Sequence, residues 1–232
     1  MIMKDSYENL VVLLDRINYK DHNWMICGDL KIVCMLLGQQ AGYTKFPCFL
    51  CEWDSRARNL HWTQERWLSK GSLTPGTKNI LRESLVDPKK VLLPPLHIKL
   101  GSVEQFVKAL PREGEGFTYL CRKFPGLSDA KIKEGVFVGP DIRKLMKDEN
   151  FEDCLGEAEK DTWISFKNVI KNFLGNYKSP DYKNIVGRIL EKFKVLGCNI
   201  SLKVHFLHAH FDHFSENLRD MCKEQGKGST RT

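Results

Sequence analysis

The sequence predicts an α/β fold, with a small mixed piece at the start followed by a mainly helical region. Two observations carry that reading. Helix-like and strand-like patterns alternate over the first fifty residues, and from His97 to Leu196 apolar residues recur three and four apart. A third observation concerns the two ends. Cys48 and Cys51 stand close together early on, and His205, His208, His210 and His213 crowd one late segment of a chain that has only 7 histidines.

The elements follow in order. Leu10, Leu13, Leu14 and Ile17 fall on one face of a helix over Asp5–Ile17. Trp24–Cys27 is a short apolar run closed by Gly28-Asp29, which predicts a buried strand ending at an acidic residue. Leu30–Gln40 reads as a second helix and Phe46–Leu50 as a second strand. Helix, strand, helix, strand favours a parallel sheet. From Glu52 to about Leu96 the signals weaken, and turn formers dominate Gly71–Gly76 and Asp87–Pro95. Helices are then predicted over His97–Leu110, Phe117–Lys123, Ser128–Glu134, Pro140–Lys147, Glu152–Leu174 and Asp181–Leu196. Ser215 is placed to cap a last helix through Glu216, Leu218 and Met221 to Gln225.

Composition narrows the classes. With 42% hydrophobic and 28% charged residues the chain is neither disordered nor fibrous. No apolar run is long enough to span a bilayer, and the charged residues of Met1–Lys20 are unlike a signal peptide. Eight cysteines without such a signal suit the reducing cytoplasm or nucleus, so an intracellular protein is expected. The net charge of +7 suits a polyanionic partner such as DNA. Gly38 and Gly42 do not make a dinucleotide fingerprint, and there is neither a P-loop nor a nucleophile elbow.

Two sets of residues can carry chemistry. Cys48 and Cys51 have the C-x2-C spacing that lets two thiolates reach one zinc ion, which needs four ligands. Buried core cysteines are the plainer alternative, and the charged residues after Cys51 argue against a redox pair that opens a helix. The remaining ligands can come from His61, ten residues on, or from His205 and His210, with His208 competing. Histidines five apart converge if the chain turns between them. A Cys2His2 site of that kind closes a loop of about 150 residues, a large entropic gain. Asp29, for its part, stands at the carboxyl end of a predicted strand, where α/β folds place metal and ligand sites. A helix N-cap is the alternative role for it. Trp53, Trp62 and Trp67 lie among charges, so they are candidates for stacking on bases or for a local core.

Four strings, ICGDLK, LGQQAGYTKFPCFLCEWDSR, LPPLHIKLGSVEQFVKAL and LGCNISLKVHFLHAHFD, resemble a transposon-derived family of animal genomes. Their arrangement is similar to that of cut-and-paste DDE transposases of the Transib and V(D)J recombinase type. The resemblance covers the chain from Ser6 to about Gln225 and implies a partial RNase H-like core with a large helical insertion. The implied domains are 1–52 (core), 53–199 (helical insertion) and 200–232 (the His-rich segment and a final helix rejoining the core). Asp29 matches the family's second catalytic Asp. Glu224 is chosen for the final acid, with Glu216 in reserve. Cys48, Cys51, His205 and His210 match a structural zinc site. Mg²⁺ enters only with an intact acidic triad, and DNA is the ancestral partner.

The departures matter too. The chain opens at the helix before Asp29, so the strands that should carry the first Asp are missing from it. Lys227 replaces a second acid. The expectation is therefore a transposase remnant or fragment that neither cuts nor joins DNA alone, with an unpaired sheet edge. A zinc-stabilised nucleic-acid- or protein-binding module without catalysis is the alternative.

Overall fold

A computed structural model of the chain describes residues 5–64, 66–175 and 177–214. The final helix expected over Glu216–Gln225, with Glu216 and Glu224, lies outside the described residues. Helix makes up 52% of the structure and strand 4%, so the chain is mainly helical with a minimal parallel sheet. Two compact units divide between Pro94 and Pro95. Among the described residues, 5–94 with 212–214 form the first, and 95–211 the second.

In the first unit, helix α1 spans Tyr7–Arg16, and its N-cap Ser6 side chain accepts the Asn9 N–H. Strand β1 is Ile26–Cys27, helix α2 is Leu30–Leu36 and strand β2 is Val91–Leu92. β1 and β2 run parallel, with Ile26 opposite Val91 and Cys27 opposite Leu92. Two expectations are corrected here. The run Trp24–Cys27 is not buried: Trp24 and Met25 are 47% and 45% exposed, and only its last two residues pair. Phe46–Leu50 is not a strand, and β1 pairs with β2 in its place. An apolar run says that a segment avoids water; it does not say whether a neighbouring backbone is there to pair with.

Helix α2 ends at Gly38, which takes the left-handed conformation (φ 64°) open to glycine. Its carbonyl accepts the N–H groups of Leu81 and Arg82 at 2.8 and 3.1 Å. A Cβ there would lie 2.1 Å from the Arg82 carbonyl oxygen, so the close approach itself requires glycine. Leu36, Leu37, Phe49, Trp53, Ile80 and Val91 are buried in this unit.

The second unit consists of helices α3 (Pro95–Ala109), α4 (Glu115–Lys123), α5 (Asp129–Lys133), α6 (Gly139–Met146), α7 (Glu149–Asp153), α8 (Glu157–Asn172), α9 (Tyr182–Val195) and α10 (Leu202–Ala209). The predicted helix Glu152–Leu174 is broken after Asp153. Gly156 is extended, and the Glu159 carboxylate accepts its N–H at 2.9 Å, which starts α8 afresh. Trp163 lies at the centre, fully buried, with its ring 5.3 Å from Phe106, 5.2 Å from Phe151 and 5.5 Å from Phe166. Helix α10 meets α3 at Gly101, where a Cβ would come within 2.3 Å of Lys203 Cδ. That glycine lets α10 lie close against α3.

Candidate metal centre

The cysteine half of the site is a loop. Leu50 accepts the Lys70 N–H at 3.0 Å, Glu52 donates to the Leu68 carbonyl at 2.8 Å, and Cys51 sits opposite Ser69 in an antiparallel bridge. The turn before this bridge carries Cys48. The Lys70 ammonium donates to the carbonyls of Phe46 (3.0 Å) and Cys48 (2.5 Å) and to Asn79 Oδ1 (3.4 Å). These two carbonyls thus find their donor in a side chain, not in a strand partner.

The histidine half is made by the end of α10. Ser201 caps its start, accepting the Val204 N–H at 3.4 Å. His205 lies inside the helix and is buried, whereas His210 is the residue just past its last turn, with φ −133°. The two rings lie 5.1 Å apart and nearly perpendicular. Five residues of ideal helix would carry the second ring away from the first. The non-helical backbone at His210 brings it back.

The donor atoms of Cys48, Cys51, His205 and His210 all lie within 4.8 Å of one another. Four ligands around a tetrahedral zinc ion stand roughly 3.3–3.8 Å apart, so this cluster needs only a small contraction to fit one ion. Cys48, Cys51 and His205 are buried, and His210 is half-buried. Burial, with the neighbouring Cys51, pushes the Cys48 thiol well above its usual range. A divalent cation among the ligands reverses that preference, because it binds the thiolate. Two thiols and two imidazoles, three of the four buried, are the donor set of a zinc-like site.

The other candidates fall elsewhere. Buried His61 places Nε2 2.8 Å from the Asp54 carbonyl and its ring between Trp53 and Trp67, which makes it part of the local core. His213 places Nε2 2.9 Å from the Val91 carbonyl, and half-buried His208 is not in the cluster. Trp53 is 2% exposed, and Trp62 and Trp67 are half-buried, so Trp53 presents no face for base stacking. Asp29 comes after β1 and Gly28 and caps α2, its Oδ1 accepting the Ile32 N–H at 2.8 Å. Among the described residues, the cysteine–histidine cluster is the one group of three or more His, Cys, Asp or Glu placed to share an ion. Sequence reasoning missed Lys70, and nothing in its surroundings as a string marks it out.

A family model described as a domain of unknown function (DUF8703) matches residues 1–86, and a second (DUF8704) matches residues 95–175. The two matches fall on either side of the division at Pro94. No curated protein and no solved structure matches the chain. No helix among the described residues is long and apolar enough to cross a membrane.

Proposed function

We propose that the chain is a zinc-organised module derived from a DDE transposase, acting in the nucleus or cytoplasm, in which Cys48, Cys51, His205 and His210 hold one structural ion. The observation that carries this reading is the convergence of two thiols with two imidazoles about 150 residues further along. Four protein ligands leave no open coordination position, which favours a structural over a catalytic metal. The RNase H-like core with its helical insertion belongs to the same proposal. It is supported by the parallel pairing of β1 with β2, by Asp29 two residues past the end of β1, and by the helical region that follows.

Phosphoryl transfer by two Mg²⁺ ions needs carboxylates a few ångströms apart. Asp29 is exposed, acts as a helix cap and shares no such group among the described residues. The module is therefore proposed to handle DNA without cutting it, and the net charge of +7 supports that partner.

Metal analysis of the purified chain tests the proposal. One zinc per chain, lost in Cys48→Ser, is the expected result, and a metal-free wild type that refuses added zinc overturns it. Mg²⁺-dependent nicking that disappears in Asp29→Ala would overturn the non-catalytic part. DNA affinity should fall steeply as salt rises; no binding at low salt sinks the DNA partner.

A further inference from the structure

The side chain of Lys70 is the polar hub of the cysteine loop. Its three hydrogen-bond acceptors are two carbonyls and an amide oxygen, which matches the three donors of an ammonium and leaves no role for a neutral amine. Two of the acceptors belong to Phe46 and Cys48, so the same ammonium fixes the backbone on which the first thiol is carried. The backbone N–H of Lys70 fixes Leu50, just before the second thiol. Burial lowers the pKa of the Lys70 ammonium, and the neighbouring thiols of Cys48 and Cys51 act in the opposite direction.

Resting on the zinc reading above, we infer that Lys70 is the positioning residue of the metal centre. It holds the cysteine loop in its ligating shape before the ion arrives and keeps a positive charge beside the thiolates. Two consequences follow from that geometry. The thiol half is preorganised, so less ordering has to accompany metal capture. The positive charge also draws electron density towards itself, which makes the bound thiolates poorer nucleophiles and the centre inert.

The test uses the full chain as wild type, K70M and K70R, with Zn²⁺ as the probe. Chelator competition gives affinity, and the rate of zinc release under iodoacetamide reports thiolate reactivity. K70M is expected to bind one zinc about tenfold or more weakly, the scale of losing an outer-shell partner, and to release it faster. K70R, which keeps the charge and can reach the same carbonyls, is expected near wild type. Affinity and release rate in K70M within about twofold of wild type, where outer-shell losses run larger, overturn the inference. A K70M chain that loses its helical signal is read by adding excess zinc: recovery supports the inference, and no recovery counts against it. Wild type that takes up no zinc removes the metal reading itself, a different failure from K70M matching a wild type that does.

Discussion

Residues 95–211 bury an aromatic cluster on helices that satisfy their own backbone, whereas residues 5–94 bury similar side chains on a backbone that is largely irregular. Trp163, Phe106, Phe151 and Phe166 pack ring against ring, and every helix beneath them carries its internal hydrogen bonds. In the first unit, buried carbonyls and N–H groups must be met one at a time. The Gly38 carbonyl takes two N–H groups, the Lys70 ammonium takes two carbonyls, and the Asp54 carbonyl meets His61. A unit organised by a few polar anchors gains more from a bound ion than one organised by an apolar core.

Metal removal is the strongest way to break this comparison. Chelation, or Cys48→Ser, should destabilise the chain by about 4–5 kcal/mol, the scale of releasing a closure this long. Hydrogen exchange should show the loss concentrated in residues 30–94, with α8 and α9 still protected. Uniform loss of protection would mean that the two units do not differ in the way their interiors suggest.

The reciprocal change is Trp163→Ala, expected to cost about 3–5 kcal/mol through the cavity it leaves, without altering zinc stoichiometry. Trp163 Nε1 meets no acceptor among the described residues, so Trp163→Phe should cost much less than the alanine change. Thermal melts with metal analysis on each variant decide both points. Loss of zinc in a folded Trp163→Phe chain would contradict the separation.

How much of this was legible in the sequence differs between the units for the same physical reason. The helices of the second unit announce themselves, because a helix buries one face and so prints its period on the string. Two features were missed there: the break at Gly156, since an apolar stripe can continue across two short helices, and helix α10, whose segment is too apolar all round to print a period. In the first unit β2 is two residues long and has no period to read, and Phe46–Leu50 is an apolar loop, buried only at Cys48 and Phe49. The cysteine and histidine pairs could be picked out by residue type and by their spacing. The choice of His210 over His208 depends on where α10 stops, and Lys70 depends on a fold that brings residue 70 back to residue 48.

Acid sharpens the comparison on a smaller scale. Burial alone would raise the Asp148 carboxyl, but the Lys123 ammonium (2.8 Å) and the Tyr119 hydroxyl (2.7 Å) outweigh it and hold the group below its ordinary value of 3.8. A carboxyl depressed in the folded state adds stability that is complete above its unfolded value and disappears as pH falls through the folded one. Asp148→Asn should therefore cost about 1–2 kcal/mol at neutral pH and flatten the loss of melting temperature below about pH 4. An unchanged acid limb would show that the second unit draws nothing from this group.

The smallest effect expected is that of Asp29→Ala. Its carboxylate accepts one N–H at the start of α2 and is exposed, so removing it should cost about 1 kcal/mol, as for other N-caps. Asp29→Asn keeps a capping oxygen and should be close to neutral in stability, although the charge is gone. That pair of variants separates the two roles the position invites. A cap responds to the loss of the oxygen, whereas a metal carboxylate responds to the loss of charge. If Asp29→Asn weakened Mg²⁺-dependent DNA binding while leaving the melting temperature alone, Asp29 would have a metal role that its capping geometry does not account for.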